Sequence, residues 1–215
     1  MSEEEKTVEV ALIDSVARSN IKDIAVDLAE VGLDAVTKNE LIAAIPVFGN
    51  IARILGAGVS IRDRLFLKKI ASFLNELQSV SQEKRIKFVR ELEEDSGTRA
   101  KAGAALMMLI DRLDDLDKPP IIGRLYKARI ENRITGDELR RFSMIVDRAH
   151  FPDLVYISGV NDEEKLKGDA LPYLAALGLV SEAEQDYNTF SSIDPGTYYS
   201  INALGRKFVS AAFGK

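Results

Sequence analysis

Residues 40–69 read ELIAAIPVFGNIARILGAGVSIRDRLFLKK, and whether this stretch crosses a membrane or folds into a core decides the architecture of the chain. From Leu41 to Ile61 the only charge is Arg53, and the run reaches the roughly 20 residues that a spanning helix needs. Its ten large aliphatic or phenyl residues contribute roughly −3 to −6 kcal/mol to insertion, while Arg53 costs about 2.5–3.5 kcal/mol and Asn50, Pro46 and the three glycines oppose it further. The sum lies near zero, so a folded helix is the better reading.

Pro46 with Gly49 predicts a break between two short helices. A hydrophobic helix over 50–79 follows, on which Ala52, Gly56 and Ser60 fall four residues apart. Small residues at that spacing let another backbone approach closely. Beyond them, Arg62, Arg64, Lys68 and Lys69 flank Leu65 and Phe66, a composition suited to a partner or to an anionic membrane surface. A central helix of a soluble bundle, its cations solvated, is the competing reading, and both stay open on the sequence.

Working outward, helical periodicity dominates the first two thirds. Ile21, Ile24, Leu28 and Val31 recur at three- and four-residue spacing, as do Phe66, Ile70, Phe73, Leu74 and Leu77, and then Leu106, Leu109, Ile110 and Leu113. Ser81 is a candidate N-cap, Thr135 and Glu138 have capping-box spacing, and Pro119 and Pro120 stop one helix and open the next. The last fifty residues change character. A helix from Asp169 to about Leu177 should end at a left-handed Gly178, and Leu179 and Val180 start an extended segment. Asp194-Pro195-Gly196 is turn chemistry, TYYSI behind it favours a strand, and Asn202 can cap a final helix. The expected fold is therefore mainly α: a multi-helix bundle over 1–118, then a region over 119–215 containing a small β-hairpin.

The segments YLAALGLV and YYSINALGRKFV, with Leu177, Gly178, Leu179, Tyr199, Leu204 and Gly205, resemble the C-terminal half of winged-helix domains. That resemblance implies a wing between two strands and a helix packed behind it. The whole chain, through IPVFG, SIRDRLFLKKI and LIDRLDDLDKP, is also similar to a loose group of uncharacterised bacterial helical proteins, which implies no activity.

Catalytic chemistry finds few candidates. The chain has one histidine, His150, and no cysteine, so the usual triads, dyads and zinc sites lack their members. Neither a dinucleotide fingerprint nor a phosphate-binding loop is present, and no cofactor is expected. Asp111 and Asp115 are the one metal candidate, because a helix would place carboxylates four apart on one face; a solvated helix face is the simpler expectation. His150 reads as a helix-end cation or a packing residue.

Charge points the same way. The net charge is −5, with 5 cations against 10 carboxylates over 1–60 and 5 against 9 over 151–215. The presumptive wing carries Glu182, Glu184, Asp186 and Asp194 and no cation, a poor match to phosphate. The acidic N-terminus lacks the layout of a secretory signal, and the absence of cysteine fits a reducing compartment. The expectation is a non-catalytic, cytoplasmic interaction or regulatory protein, peripheral at the inner face of the membrane, whose partner is another protein or a second copy of itself, in a bacterial defence-type setting. A winged-helix DNA-binding regulator is the alternative.

Overall fold

The computed structural model describes residues 7–18, 45–55, 60–161, 164–183 and 197–214. Among these lie ten helices and two strands. They are α1 (Val8–Arg18), α2 (Pro46–Leu55), α3 (Ile61–Glu76), α4 (Gln82–Ser96), α5 (Arg99–Arg112), α6 (Lys118–Ile130), α7 (Gly136–Arg148), α8 (Phe151–Ser158), α9 (Leu171–Ala176), β1 (Val180–Glu182), β2 (Tyr199–Ile201) and α10 (Ala203–Phe213). The mainly helical architecture with a small C-terminal hairpin follows the expectation. The series at Ile21–Val31, Gly56 and the presumptive wing from Glu184 to Gly196 lie outside the described residues, as does the side chain of Ala52.

Two helices organise the packing. The first, α1, has Ala11, Leu12, Ile13, Val16 and Ala17 buried and packs against α2, α4 and α5. Its Ser15 hydroxyl donates to the Ala11 carbonyl oxygen at 2.8 Å and accepts from the Val47 N–H at 3.0 Å. That contact satisfies one of the free amides at the start of α2. Beside it, the buried Arg85 donates to the Val16 carbonyl oxygen at 3.0 Å, placing a cation at the C-terminus of α1.

The second organiser is α6. Nine of its residues are buried, including Ile121, Ile122, Leu125, Tyr126 and Ala128, because it packs on α3, α7 and α10 at once. Phe73 and Phe88 each meet Tyr126 in T-shaped pairs with centroids 5.2 and 5.8 Å apart, an arrangement worth about 0.5–1.5 kcal/mol per pair beyond the area buried. Phe142 and Phe208 pair likewise at 5.4 Å, tying α7 to α10. The core is thus continuous across residues 118 and 119, and the line drawn there divides two stretches of sequence that share one interior.

The stretch over 45–79 departs from its expected form. Pro46 opens α2, where its missing N–H costs nothing, and Gly49 and Asn50 sit within the helix. The single helix over 50–79 is corrected to two. Ser60 has extended φ and ψ, accepts from the Asp63 N–H, and its own N–H donates to Asp63 Oδ2 at 3.0 Å. This capping box starts α3, so Ser60 does not continue a helical face from Ala52 and Gly56.

The C-terminal elements follow from local chemistry. Gly178 has φ +83, a left-handed turn that glycine adopts freely, and it ends α9 as predicted. β1 and β2 pair antiparallel with Val180 opposite Ile201 and Glu182 opposite Tyr199. Leu166 joins them through an antiparallel bridge to Tyr199, exchanging N–H···O bonds of 2.8 and 2.9 Å.

Candidate functional site

Successive residues of an α-helix are rotated by about 100°, since 3.6 residues complete a turn. On α3 this places Ile61, Arg64, Leu65 and Lys68 in one stripe, and Leu67, Ile70 and Leu74 on the opposite side. The latter three are buried. Arg64 and Lys68 are exposed, Ile61 is 78% exposed and Leu65 is 45% exposed. The first turns of α3 therefore present two aliphatic side chains flanked by two cations, on a helix whose other face is anchored in the core.

The remaining members of the sequence-predicted surface have different tasks. Arg62 faces Asp111 across α5 at 3.3 Å, an exposed pair of small energetic weight. Lys69 Nζ donates to the carbonyl oxygens of Asp111 and Leu113 at 2.9 and 2.5 Å. It thereby satisfies acceptors left free at the C-terminus of α5 and favours the helix dipole there. Phe66 is half-buried against the core. Arg64, Leu65 and Lys68 thus belong to the outward face, and Ile61, which the sequence reading took only as the end of an apolar run, is its most exposed apolar member. The capping pattern Ser60 to Asp63 was the signal that could have placed it in a new first turn.

Asp111 and Asp115 do not share a helical face. α5 ends at Arg112, and Leu113 turns the chain with φ −57 and ψ 123. Asp111 meets Arg62, Asp114 accepts from Lys118 at 2.5 Å, and Asp115 Oδ1 accepts from the Asp117 N–H at 2.8 Å. Among the described residues no group of three or more His, Cys, Asp or Glu side chains converges in a metal-binding arrangement. His150 stands at the N-terminus of α8 with Nδ1 3.8 Å from Asp153, at the start of a helix as well as at the end of α7.

The residues behind the winged-helix resemblance are gathered in one place. A Cβ on Gly205 would lie 2.0 Å from the Leu179 carbonyl oxygen, so α10 touches the start of the hairpin backbone to backbone. One on Gly178 would come within 3.5 Å of Leu204. Tyr199 is buried, and Leu177 closes α9. Between Leu166 and β1 the described helix is α9 alone, six residues reading LPYLAA. It offers none of the Arg, Lys, Asn or Gln side chains that read base edges in a major groove.

No protein-family model, no curated protein and no solved structure matches the chain.

Proposed function

We propose that the protein acts without catalysis, as a cytoplasmic interaction protein whose α3 face docks reversibly on an anionic membrane surface. The observation that carries this reading is the stripe of Ile61, Arg64, Leu65 and Lys68, opposite the buried side of the same helix. Two cations near an anionic surface contribute about 1 kcal/mol each. Two aliphatic side chains seated among headgroups add to this in proportion to the apolar area they lose to water. Such a sum gives peripheral, salt-sensitive association. Among the described residues no helix is long and apolar enough to cross a membrane.

Docking through one helix face leaves the remaining surface free for protein contacts, which is where a regulatory role would be exerted. The DNA-binding alternative has less support, because α9 carries no cation and the region around it is acidic. Flotation of the full chain with phosphatidylglycerol vesicles, against phosphatidylcholine vesicles, tests the proposal. Wild type should rise with the anionic vesicles at low salt and be released as salt increases. Leu65→Ser combined with Lys68→Gln should abolish capture without lowering the melting temperature. Absence of wild-type capture by anionic vesicles at low salt would overturn the reading.

A further inference from the structure

Helices α4, α5, α6 and α7 enclose a cleft of about 370 Å³, within the range of roughly 300–1,000 Å³ common for small-molecule sites. Phe88, Leu92, Leu109 and Leu139 give it apolar walls, and Ala105 and Met144 stand at an open side as exposed residues. Two hydroxyl-bearing residues interrupt this lining. Tyr126 is 9% exposed and Ser143 is 7% exposed, and both line the cleft. Neither hydroxyl oxygen is sealed from solvent without a partner, so both are open to the cleft.

A hydroxyl open to a cleft can donate its proton to an acceptor that enters it. Two of them lining one apolar cleft fit a ligand that brings its own acceptor. The charge at the cleft indicates the acceptor's sign. Arg112, Arg129 and Arg140 line it, against one carboxylate, Glu91. Arg129 holds Glu91 at 2.8 Å, which occupies that pair. Arg112 and Arg140 are exposed and engage Asp147 and Asp137 outside the lining, at 3.0 and 2.5 Å. A guanidinium has five N–H donors, so each keeps donors for an incoming anion, and exposed pairs of this kind are readily exchanged.

We infer that this cleft is a binding site for a small apolar monoanion, a free carboxylic acid with an aliphatic or aromatic body. The body lies along Phe88, Leu92, Leu109 and Leu139, and the carboxylate is held by one of the arginines at the rim, Arg140, together with the hydroxyl donors. The site is separate from the α3 stripe and does not depend on membrane docking.

Calorimetric titration of the full chain with decanoate, decanol and decyltrimethylammonium, each below its micelle concentration, tests this inference. Decanoate should bind one to one, and decanol and the ammonium should each bind at least tenfold more weakly. Tyr126→Phe keeps the ring packing and removes only the hydroxyl, so it should weaken decanoate by about tenfold, as for loss of a hydrogen bond to a charged acceptor. Ala105→Trp, at an exposed position, should obstruct the cleft and remove binding while leaving the melting temperature of the free protein unchanged. Three results would overturn the inference: no saturable decanoate binding, equal binding of all three probes, or decanoate binding that survives Ala105→Trp.

Discussion

A Cβ built on Gly103 would lie 2.0 Å from the carbonyl oxygen of Glu9, so α5 and α1 meet backbone to backbone at that point. Alanine is ordinarily better than glycine within a helix by about 1 kcal/mol. Here the added methyl has no room and the helices must part, at a cost of about 1–3 kcal/mol. Gly103→Ala is expected to lower the urea midpoint, and a raised midpoint would show that α1 and α5 are not packed as described.

Asn202 joins three elements. Its Oδ1 accepts from the Gly205 N–H at 2.9 Å, capping α10, and its Nδ2 donates to the Gly178 carbonyl oxygen at 3.0 Å and to Ser181 Oγ at 3.1 Å. Loss of an ordinary N-cap costs about 0.5–2 kcal/mol. Asn202→Ala should fall at or above the top of that range, and Asn202→Asp, which keeps the cap but not the donor, should fall between. Paired chemical melts check the order.

Glu138 supplies the pH dependence. Lys207 donates to Glu138 Oε1 at 2.6 Å, and the Thr135 N–H donates to Oε2 at 2.8 Å. The hydrogen bond from Lys207 and then that from Thr135 hold the carboxyl below its ordinary value. A depressed folded value stabilises the fold fully above the unfolded value of about 4.3 and loses that contribution as pH falls through the folded one. Wild type should exceed Glu138→Gln by under about 1 kcal/mol at pH 7, since the pair is partly exposed. The gap should close on acidification below about pH 4; a gap that widens there contradicts the assignment.

Lys118 is 1% exposed, while its partner Asp114 is 75% exposed. Its ammonium lies 2.5 Å from Asp114 and 3.4 Å from the Asp147 carbonyl oxygen. Removing the cation strands no buried charge, because water solvates Asp114. Lys118→Met, which keeps the length of the side chain, should therefore change stability by less than about 1.5 kcal/mol, whereas Lys118→Ala should cost more through the cavity it leaves. Thermal melts of the two variants separate the volume effect from the charge effect.

What could be read in the sequence was local. The cap at Asn202, the turn at Gly178 and the capping box at Thr135 each depend on residues within a few positions of one another, and each appears as expected. The break at Ser60 was equally local, but the apolar composition around it suggested continuity and obscured the Ser60 to Asp63 pattern. The four-residue spacing of Asp111 and Asp115 predicts a shared face, and nothing in LIDRLDDLDKP announces that Leu113 turns the chain. Close contacts were beyond reach for another reason. Gly103 and Gly123 are constrained by Glu9 and Phe73 on other helices, and Tyr126 and Ser143 come to line one cleft only after α6 and α7 pack. Neither relationship leaves a periodic trace in one strand of sequence.

The burial of α1 against α5 also sets a timetable for synthesis. Asp14 is held by Arg99 at 2.5 Å across 85 residues of chain. At typical elongation rates of about 5–20 residues per second, roughly 4–17 s separate the making of those two partners. Throughout that interval α1 exposes apolar surface that only later segments cover, so chaperone demand on the ribosome should be concentrated on this helix and end when α5 emerges.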